Sequence, residues 1–301
     1  MGTSINIRSE NVLDNINLIF NPFLSAESQV LKNQFIHGQR DYLFLKNTGF
    51  NIDSDVYAKN RELDLGLQYS FMASMFNHLN IHPVTYEGEN NGKLFRHVTP
   101  IPGFENTKSS LGSKENLGFH VDNNHMSLKN ETVKKGHSCV PDYLALFCVR
   151  NNEKIPTIIS DIPSAFTKLS TQDQHTLTMK RFKINYPDSF SQKGHVIVPI
   201  VNVTPKGIYS RFDAAFTHPL DQQANDAFQR LHNKLIEGQT KINLESGDIL
   251  IFRNQKIAHA RTGFTPKYDG YDRFLLRLFG VDSLDRVTSL FSDNPYHVTA
   301  Y

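Results

Sequence analysis

The strongest constraint on this chain is a short apolar segment that ends in a histidine and an aspartate two residues apart. His120 and Asp122 follow the run Leu117-Gly118-Phe119, with Val121 between them. Side chains two apart on a β-strand point to the same face of a sheet. An imidazole and a carboxylate on one face can bind the same metal ion. The segment therefore predicts a β-strand that carries two metal ligands.

A third group of the same kind lies far along the chain. His259 follows a second apolar segment that begins at Gly247-Asp248. Two histidines and one carboxylate leave coordination positions open, an arrangement that suits non-heme Fe(II). A histidine in an apolar segment is more often a core residue, so each histidine taken alone has that alternative explanation.

Two arginines in a later apolar segment support the metal hypothesis. Arg273 and Arg277 have an even spacing, which puts both on one face of a strand. Burying a guanidinium is costly unless a carboxylate meets it, and its planar fork suits a bidentate carboxylate. Near an open iron site, two such groups would suit a keto-acid cosubstrate and an amino-acid substrate. The alternative is a pair of arginines that extend to a charged surface.

Hydrophobic periodicity changes along the chain. Helical spacing predicts helices at Ser25–His37, at Leu63–Leu79, after Pro163, and at Asp221–Glu237. Short apolar runs between Gly, Pro and Asn predict strands at Leu94–Val98, Phe119–Val121, Tyr143–Val149, Thr157–Ser160, Val196–Val203, Asp248–Phe252 and Arg273–Val281. The fold class is α+β, mainly β. We expect one domain over residues 1–301, with only helices before about residue 80, packed on a double-stranded β-helix (jelly roll) core over about 83–290 with flanking helices.

Composition limits the partners and the location. The 32 basic and 30 acidic side chains are scattered and nearly balanced, which argues against nucleic acid or an anionic membrane as a partner. The chain lacks a signal-peptide pattern, a long apolar stretch, a Cys-x-x-Cys motif and a His-Glu-x-x-His motif. Cys139 and Cys148 are interpreted as small buried residues of a reducing compartment, so we expect a cytoplasmic protein. The oligomeric state stays open, a homo-oligomer included.

Several further segments fall in an order that is typical of one family. They are Gly92–Arg96 with Pro100, Ser113-Lys114 before Phe119–Asp122, Pro141–Arg150, Thr157, Gly247–Asn254, Ala258–Arg261, Phe264, Tyr268–Gly270 and Asp272-Arg273. Between about residues 85 and 280 the sequence resembles the clavaminate-synthase-like branch of the Fe(II)/2-oxoglutarate-dependent oxygenases. That branch contains hydroxylases of free arginine, asparagine and lysine.

The resemblance implies a role for each candidate residue of the metal and cosubstrate sites. His120, Asp122 and His259 would hold Fe(II), and O2 would take an open position. Arg273 would form an ion pair with the distal carboxylate of 2-oxoglutarate, and Thr157 would hydrogen-bond the same carboxylate. No catalytic residue is implied beyond the metal centre.

The resemblance also implies a substrate site. Arg277 would meet the α-carboxylate of an amino acid and Glu89 its α-amine, with Glu87 as a substitute if the loop shifts. Asp213 matches a region where relatives place an aspartate on the substrate. Ser110 and Ser113 fall in a loop whose backbone lines the pocket in relatives.

One departure bears on the reaction. Several relatives carry Glu as the metal carboxylate, and this chain carries Asp122; a halogenase would need Gly or Ala there, so the carboxylate favours hydroxylation. Asp213 and Glu89 outnumber what an α-amine needs, so the expected substrate is a free basic amino acid, lysine or arginine, hydroxylated at the β or γ carbon. A neutral polar amino acid such as asparagine or glutamine is the alternative, and a non-catalytic β-sandwich that binds carboxylate or metal is another. His125 is off the strand face by parity, so we expect it behind the ligands or at the surface.

Overall fold

The helices of the chain fall where the periodicity predicts them. A computed structural model describes residues 23, 25–52, 64–106, 113–187, 190 and 193–300. Its α-helices are α1 (Ala26–Ile36), α2 (Gly66–His78), α3 (Ile162–Thr167), α4 (Thr171–Leu177) and α5 (Gln222–Glu237), with 3₁₀ turns at Asn90–Gly92 and Leu284–Arg286. Ser25 and Asp221 are N-caps, because their side-chain oxygens accept the amides of Ser28 at 3.0 Å and Ala224 at 2.9 Å. All four predicted helices are confirmed, although residue 63 lies outside the described residues; α4 was not predicted.

Most of the remaining structure is β. The strands are β1 (Tyr42–Leu45), β2 (His82–Tyr86), β3 (Arg96–Val98), β4 (Leu117–His120), β5 (Tyr143–Arg150), β6 (Thr157–Asp161), β7 (Phe182–Asn185), β8 (His195–Val198), β9 (Val201–Thr204), β10 (Gly207–Ser210), β11 (Thr217–Pro219), β12 (Thr240–Ile242), β13 (Ile249–Arg253), β14 (Ile257–Arg261), β15 (Phe274–Val281), β16 (Ser289–Phe291) and β17 (Asn294–Val298). The predicted mainly-β class with a few helices is therefore confirmed.

Two larger sheets organise these strands. The 8-stranded sheet has the order β1-β13-β5-β15-β2-β17-β16, with β3 also paired to β15. The 4-stranded sheet has the order β12-β6-β14-β4. Smaller sheets are formed by β11-β7-β8 and by β10-β9.

Strand β5 separates two hydrophobic cores. Its eight residues are all buried. Alternate side chains, among them Ala145 and Phe147, pack in a core with Phe71 and Phe76 of α2. The others, among them Leu144 and Leu146, belong to a second core that includes residues of the 4-stranded sheet and of α5. The large sheet is thus covered by N-terminal helices on one face and leaves its other face for a site between the sheets.

The structure corrects two predictions and adds a strand at the candidate site. Val196–Val203 is two strands rather than one: Pro199 lacks a backbone N–H for a ladder, and β8 pairs with β7 whereas β9 pairs with β10. The region before residue 80 is not only helical, since β1 pairs with β13. The segment that carries His259 was not predicted as a strand, yet it is β14 in the centre of the 4-stranded sheet.

Both cysteines are buried free thiols. In the part of the chain that the structure describes, none of the helices has the length and apolar character needed to cross a bilayer.

Candidate active site

The two histidines and the aspartate come together at one end of the 4-stranded sheet. His120 ends β4 and lies directly opposite His259 of β14 in the antiparallel register. Asp122 follows two residues later, with its Oδ1 3.7 Å from His120 Nε2 and its Oδ2 3.7 Å from His259 Nε2. One ligand atom from each residue lies within 4.8 Å of the others, so the three groups could hold one metal ion.

A hydrogen bond to the backbone orients one of the two imidazoles, that of His120. The Nδ1–H of His120 donates to the carbonyl oxygen of Gly118 at 2.9 Å, which leaves Nε2 directed toward Asp122. A hydrogen bond of this kind fixes the tautomer and the ring orientation of metal-ligating histidines. Burial, and then the nearby His120 and Arg277, lower the pKa of His259 well below its ordinary value. The neutral imidazole is the form that binds a metal, so the donor set fits a 2-His-1-carboxylate centre.

A cavity of about 950 Å³, counting its open mouth, extends from these three residues between the sheets. Its lining also includes polar side chains that the sequence singled out and others that it did not: Asn123, Thr157, Asp213, Arg261, Arg273 and Arg277. Neither Glu89 nor Ser113 is among its described lining residues.

Arg273 is a buried guanidinium with one side-chain partner. Its Nη2 donates to the Thr157 hydroxyl at 3.0 Å, and its Nε has no hydrogen-bond partner among the described residues. Burial, and then the neighbouring Arg261, lower the pKa of Arg273 to about 10. Within the described chain no carboxylate pairs with it, so the site provides positive charge for an anion that enters the cavity.

Arg277 is held by carboxylates of the protein itself. It forms ion pairs with Glu89 and, at 3.4 Å, with Asp122. Arg96 lies opposite Arg277 across β3 and β15 and reaches the same Glu89 oxygen at 3.1 Å. Glu89 is only 2% exposed and is not among the described lining residues of the cavity. From this buried position its carboxylate pairs with two adjacent guanidinium groups.

Asp213 lies beside the metal cluster through a single β-bridge to His120. Its Oδ1 accepts the amides of Ala215 at 2.7 Å and Phe216 at 2.9 Å, and its Oδ2 accepts Asn124 Nδ2 at 3.2 Å. Burial raises the pKa of Asp213 above its ordinary value. It is the one carboxylate of the described cavity lining outside the metal cluster.

Two of the remaining candidates, Ser113 and His125, are not among the described lining residues of the cavity. Ser113 is buried, and its carbonyl oxygen accepts Arg261 Nη1 at 3.0 Å, which ties its loop to β14. Ser110 lies outside the described residues. His125 is buried rather than at the surface, with its ring centroid 4.6 Å from that of Tyr186 and 5.0 Å from that of Phe190.

Sequence reasoning gave no role to five residues at or around the site: Arg96, Asn123, Asn124, Asn254 and Arg261. Arg96, Asn254 and Arg261 lie in segments that match the family pattern. Arg96 and Arg261 could have been singled out from the sequence, because a charged residue in an apolar strand needs partners when it is buried. The three asparagines carry no periodic signal, and their contacts depend on loops that the sequence does not predict.

These features fit a metal site of the 2-His-1-carboxylate class in a mainly antiparallel β-protein. The family model described as taurine catabolism dioxygenase TauD, TfdA family, matches residues 72–279, and the chain belongs to this family. Dioxygenase membership is what the sequence predicted.

Curated relatives confirm the predicted branch. L-asparagine oxygenase of Streptomyces coelicolor is 29% identical over 211 residues, which are 68% of this chain and 59% of that protein. L-lysine 3-hydroxylase of Catenulispora acidiphila is 24% identical, over 65% of this chain and 54% of the relative. Clavaminate synthase 2 of Streptomyces clavuligerus is 27% identical, over 64% and 58%. The match thus spans less than two thirds of each of these relatives.

Solved structures share the fold. An asparagine oxygenase in complex with Fe(II), 3-hydroxyasparagine and succinate superimposes with a TM-score of 0.75 at 23% identity, covering 97% of this chain and 96% of the other. The non-heme iron oxygenase OrfP in complex with Fe and α-ketoglutaric acid gives 0.73 at 21% identity, with 95% of each chain covered.

Proposed function

We propose that this protein is an Fe(II)- and 2-oxoglutarate-dependent dioxygenase that hydroxylates an unactivated carbon of a free L-amino acid. The observation that carries the proposal is one cavity that joins the cluster of His120, Asp122 and His259 to the buried guanidinium of Arg273. A metal site with open positions and a separate site for a carboxylate are what an oxygen-activating metal and a keto-acid cosubstrate require. The relatives named above act on asparagine and lysine.

The two histidines and Asp122 would hold the iron. When bound, Fe(II) with 2-oxoglutarate and O2 supplies the oxidation of a C–H bond to an alcohol, while 2-oxoglutarate is converted to succinate and CO2. The protein contributes position: the reacting carbon must face the metal, and bound substrate must exclude water from the cavity.

Arg273 and Thr157 would bind the distal carboxylate of 2-oxoglutarate. A guanidinium that is 5% exposed and lacks a carboxylate partner among the described residues gains most from an external one. The Thr157 hydroxyl already orients Arg273 Nη2, and it can donate its own proton to the same carboxylate. Cosubstrate binding would therefore supply the carboxylate partner that Arg273 lacks among the described residues.

Arg277, Glu89 and Asp213 would recognise the amino acid. Arg277 lines the cavity and would bind the α-carboxylate. Glu89, which lies behind Arg277, would bind the α-amine. For this contact the Asn123 side chain, whose Nδ2 lies 3.4 Å from Glu89 Oε2, would have to move aside. Asp213 would accept a hydrogen bond from the substrate side chain. Ser110 and Ser113 are proposed to shape the pocket through the backbone of their loop.

A basic side chain, lysine or arginine, is our first candidate because Asp213 offers a carboxylate for a cation. A neutral polar side chain such as asparagine or glutamine is the second, and a specific contact favours it. Asp213 Oδ2 already accepts a primary amide, that of Asn124, at 3.2 Å. A substrate amide would make the same kind of bond without bringing in a charge.

The architecture that we propose for this function is one domain, a double-stranded β-helix made by the two larger sheets with the helices outside. The buried free thiols Cys139 and Cys148 support a reducing, cytoplasmic location. A homo-oligomer is compatible with the proposal, which requires no nucleic acid and no membrane.

The test is a screen of free amino acids, lysine, arginine, asparagine and glutamine first. Each is incubated with the protein, Fe(II), 2-oxoglutarate and O2, and mass spectrometry looks for the gain of one oxygen atom while succinate is measured in parallel. One amino acid should give product and succinate in equal amounts, and only with iron. Binding of amino acids or metal without any succinate would instead favour a non-catalytic β-sandwich.

A further inference from the structure

The turn that joins β13 to β14 carries an asparagine whose side chain holds the backbone of Asp122. Asn254 is fully buried. Its Oδ1 accepts the N–H of Asp122 at 3.1 Å, and its Nδ2 donates to the carbonyl oxygen of Asp122 at 3.1 Å. The same nitrogen donates to the carbonyl oxygen of Pro141 at 3.1 Å. The side-chain amide thus bonds Asp122 as a neighbouring strand would.

This bond pair lies where the sheet ends. Strand β4 ends at His120, and the last regular contact is the Val121 N–H, which donates to Phe212 at 2.8 Å. Asn123 then adopts a left-handed φ of 56°, which turns the chain away. None of the described strands pairs with Asp122. Without Asn254, the peptide groups on both sides of this carboxylate would lack their partners.

The same turn also sets the second histidine. The N–H of Asn254 donates to the carbonyl oxygen of Asp142 at 2.9 Å, which fixes the turn against β5. The chain then enters β14, whose register places His259 opposite His120. Asn254 therefore links the metal carboxylate to the strand that carries the distal histidine.

We propose that Asn254 is a positioning residue for the metal centre: it holds Asp122 at the distance from both histidines that one ion requires. This inference rests on the proposed function, because it assumes that the three groups bind a metal. Residues that orient metal ligands without touching the ion commonly contribute 10–100-fold to metal affinity.

The chain contains a matched control. Asn151 makes the same three bonds elsewhere: its Nδ2 donates to the carbonyl oxygens of Ile155 and Leu244, and its Oδ1 accepts the N–H of Ile155, all at 3.0 Å. It is 8% exposed, and neither Ile155 nor Leu244 lines the cavity. Asn151→Ala therefore removes an equivalent set of hydrogen bonds away from the metal ligands.

The experiment measures binding of Mn(II), a redox-silent substitute for Fe(II), through the electron paramagnetic resonance signal of the free ion. Asn254→Ala should raise the Kd for Mn(II) by about 10–100-fold, whereas Asn151→Ala should leave it unchanged. In an Asp122→Ala background, Asn254→Ala should have no further effect, because the residue acts through Asp122. Circular dichroism verifies that each variant is folded.

Asn254→Asp serves if the alanine variant does not fold, since it keeps the volume and the acceptor but loses both donated bonds. It should weaken Mn(II) binding in the same direction. Unchanged affinity in a folded Asn254 variant, or equal losses in the Asn151 variant, would overturn the inference. A parent protein that binds no Mn(II) would instead overturn the proposed function, and this inference with it.

Discussion

Arg273 and Arg277 lie four residues apart at β15, line the same cavity and are about equally buried, yet their surroundings differ. Arg277 is paired with Glu89 and Asp122, and Glu89 also neutralises Arg96. Arg273 has the Thr157 hydroxyl and, among the described residues, no carboxylate. At the Arg277 end of the cavity, which we call the closed end, carboxylates of the protein already neutralise the guanidinium. At the Arg273 end, which we call the open end, the guanidinium has no carboxylate partner among the described residues, and a ligand could supply one.

The difference indicates how the two ends would bind. An anion at Arg273 gains a partner without displacing one, so cosubstrate affinity should depend on that single ion pair. An anion at Arg277 must share the guanidinium with Glu89 and Asp122, so substrate binding should depend on a rearrangement of charges already present. Asp122 lies in both the His120–His259 cluster and the Arg277 network, so under the proposed function we expect substrate binding to be coupled to the metal.

Removing the Asp122 carboxylate should have the largest effect, because it takes away a proposed metal ligand and one of the carboxylate partners of Arg277. We expect Asp122→Ala to abolish iron-dependent succinate formation and to bind Mn(II) far more weakly. Asp122→Glu keeps a carboxylate and should retain measurable activity. Succinate formation by Asp122→Ala at the parent rate would show that the three groups do not hold the iron.

Arg273→Ala tests the open end. It should raise the 2-oxoglutarate concentration needed for half-maximal activity by about two to four orders of magnitude, since losing one partner of a buried ion pair costs about 3–5 kcal/mol. The half-saturating amino-acid concentration should change much less. Thr157→Ala removes a hydroxyl that accepts from the Arg273 guanidinium and would donate to the carboxylate, and should cost about 1.5–3 kcal/mol in the same assay. An unaltered 2-oxoglutarate requirement in Arg273→Ala would place the cosubstrate elsewhere.

The two ends should respond differently when a charge is removed from the ligand-free protein. The free energy of unfolding should fall at the closed end, and should stay equal or rise at the open end. Glu89→Gln leaves Arg96 and Arg277 opposite each other without their shared carboxylate, and should lower the free energy of unfolding by about 3–5 kcal/mol. Arg273→Met removes a buried guanidinium that lacks a carboxylate, and should leave stability equal or raise it by about 1 kcal/mol. Urea unfolding measures both. A loss in Arg273→Met as large as that in Glu89→Gln would mean that Arg273 is already paired.

The His120 and Asp122 part of the cluster was predictable because its geometry is local. The two-residue period of a strand aligns His120 with Asp122, although Asp122 itself lies just beyond β4. The approach of His259 depends on β4 pairing with β14, which the spacing of residues along the chain does not reveal. The four predicted helices were predictable from their hydrophobic spacing.

The rest depended on contacts between distant segments. Glu89 was predicted at the substrate, but whether it faces the cavity or lies behind Arg277 depends on how β2 and β3 pair with β15. The clamp of Asn254 on Asp122 depends on the turn after β4, which has no periodic pattern. Val196–Val203 looked like one strand because apolar content does not reveal which sheet each half joins.

His125 is another buried basic side chain, and unlike Arg273 and Arg277 it readily loses its proton. Replacing it should give the smallest effect of the proposed variants. Burial lowers the pKa of His125 from 6.5 to about 3, with Glu89 acting to raise it and Arg211 to lower it. Between pH 6.5 and 3 the unfolded chain therefore binds a proton that the folded protein does not, so stability falls as pH falls, by at most about 1.4 kcal/mol per pH unit. Above pH 6.5 this group contributes no pH dependence.

Urea unfolding at pH 6.5 and pH 5 measures this contribution. His125→Phe keeps a ring against Tyr186 and Phe190 but cannot be protonated, so it should lose about 2 kcal/mol less than the parent over that interval. His82→Gln, at an exposed position, should lose as much as the parent. Equal losses in His125→Phe and the parent would mean that the imidazole is charged in the folded protein. His125 would then resemble Arg277, a buried cation held by a partner, rather than a group that burial keeps neutral.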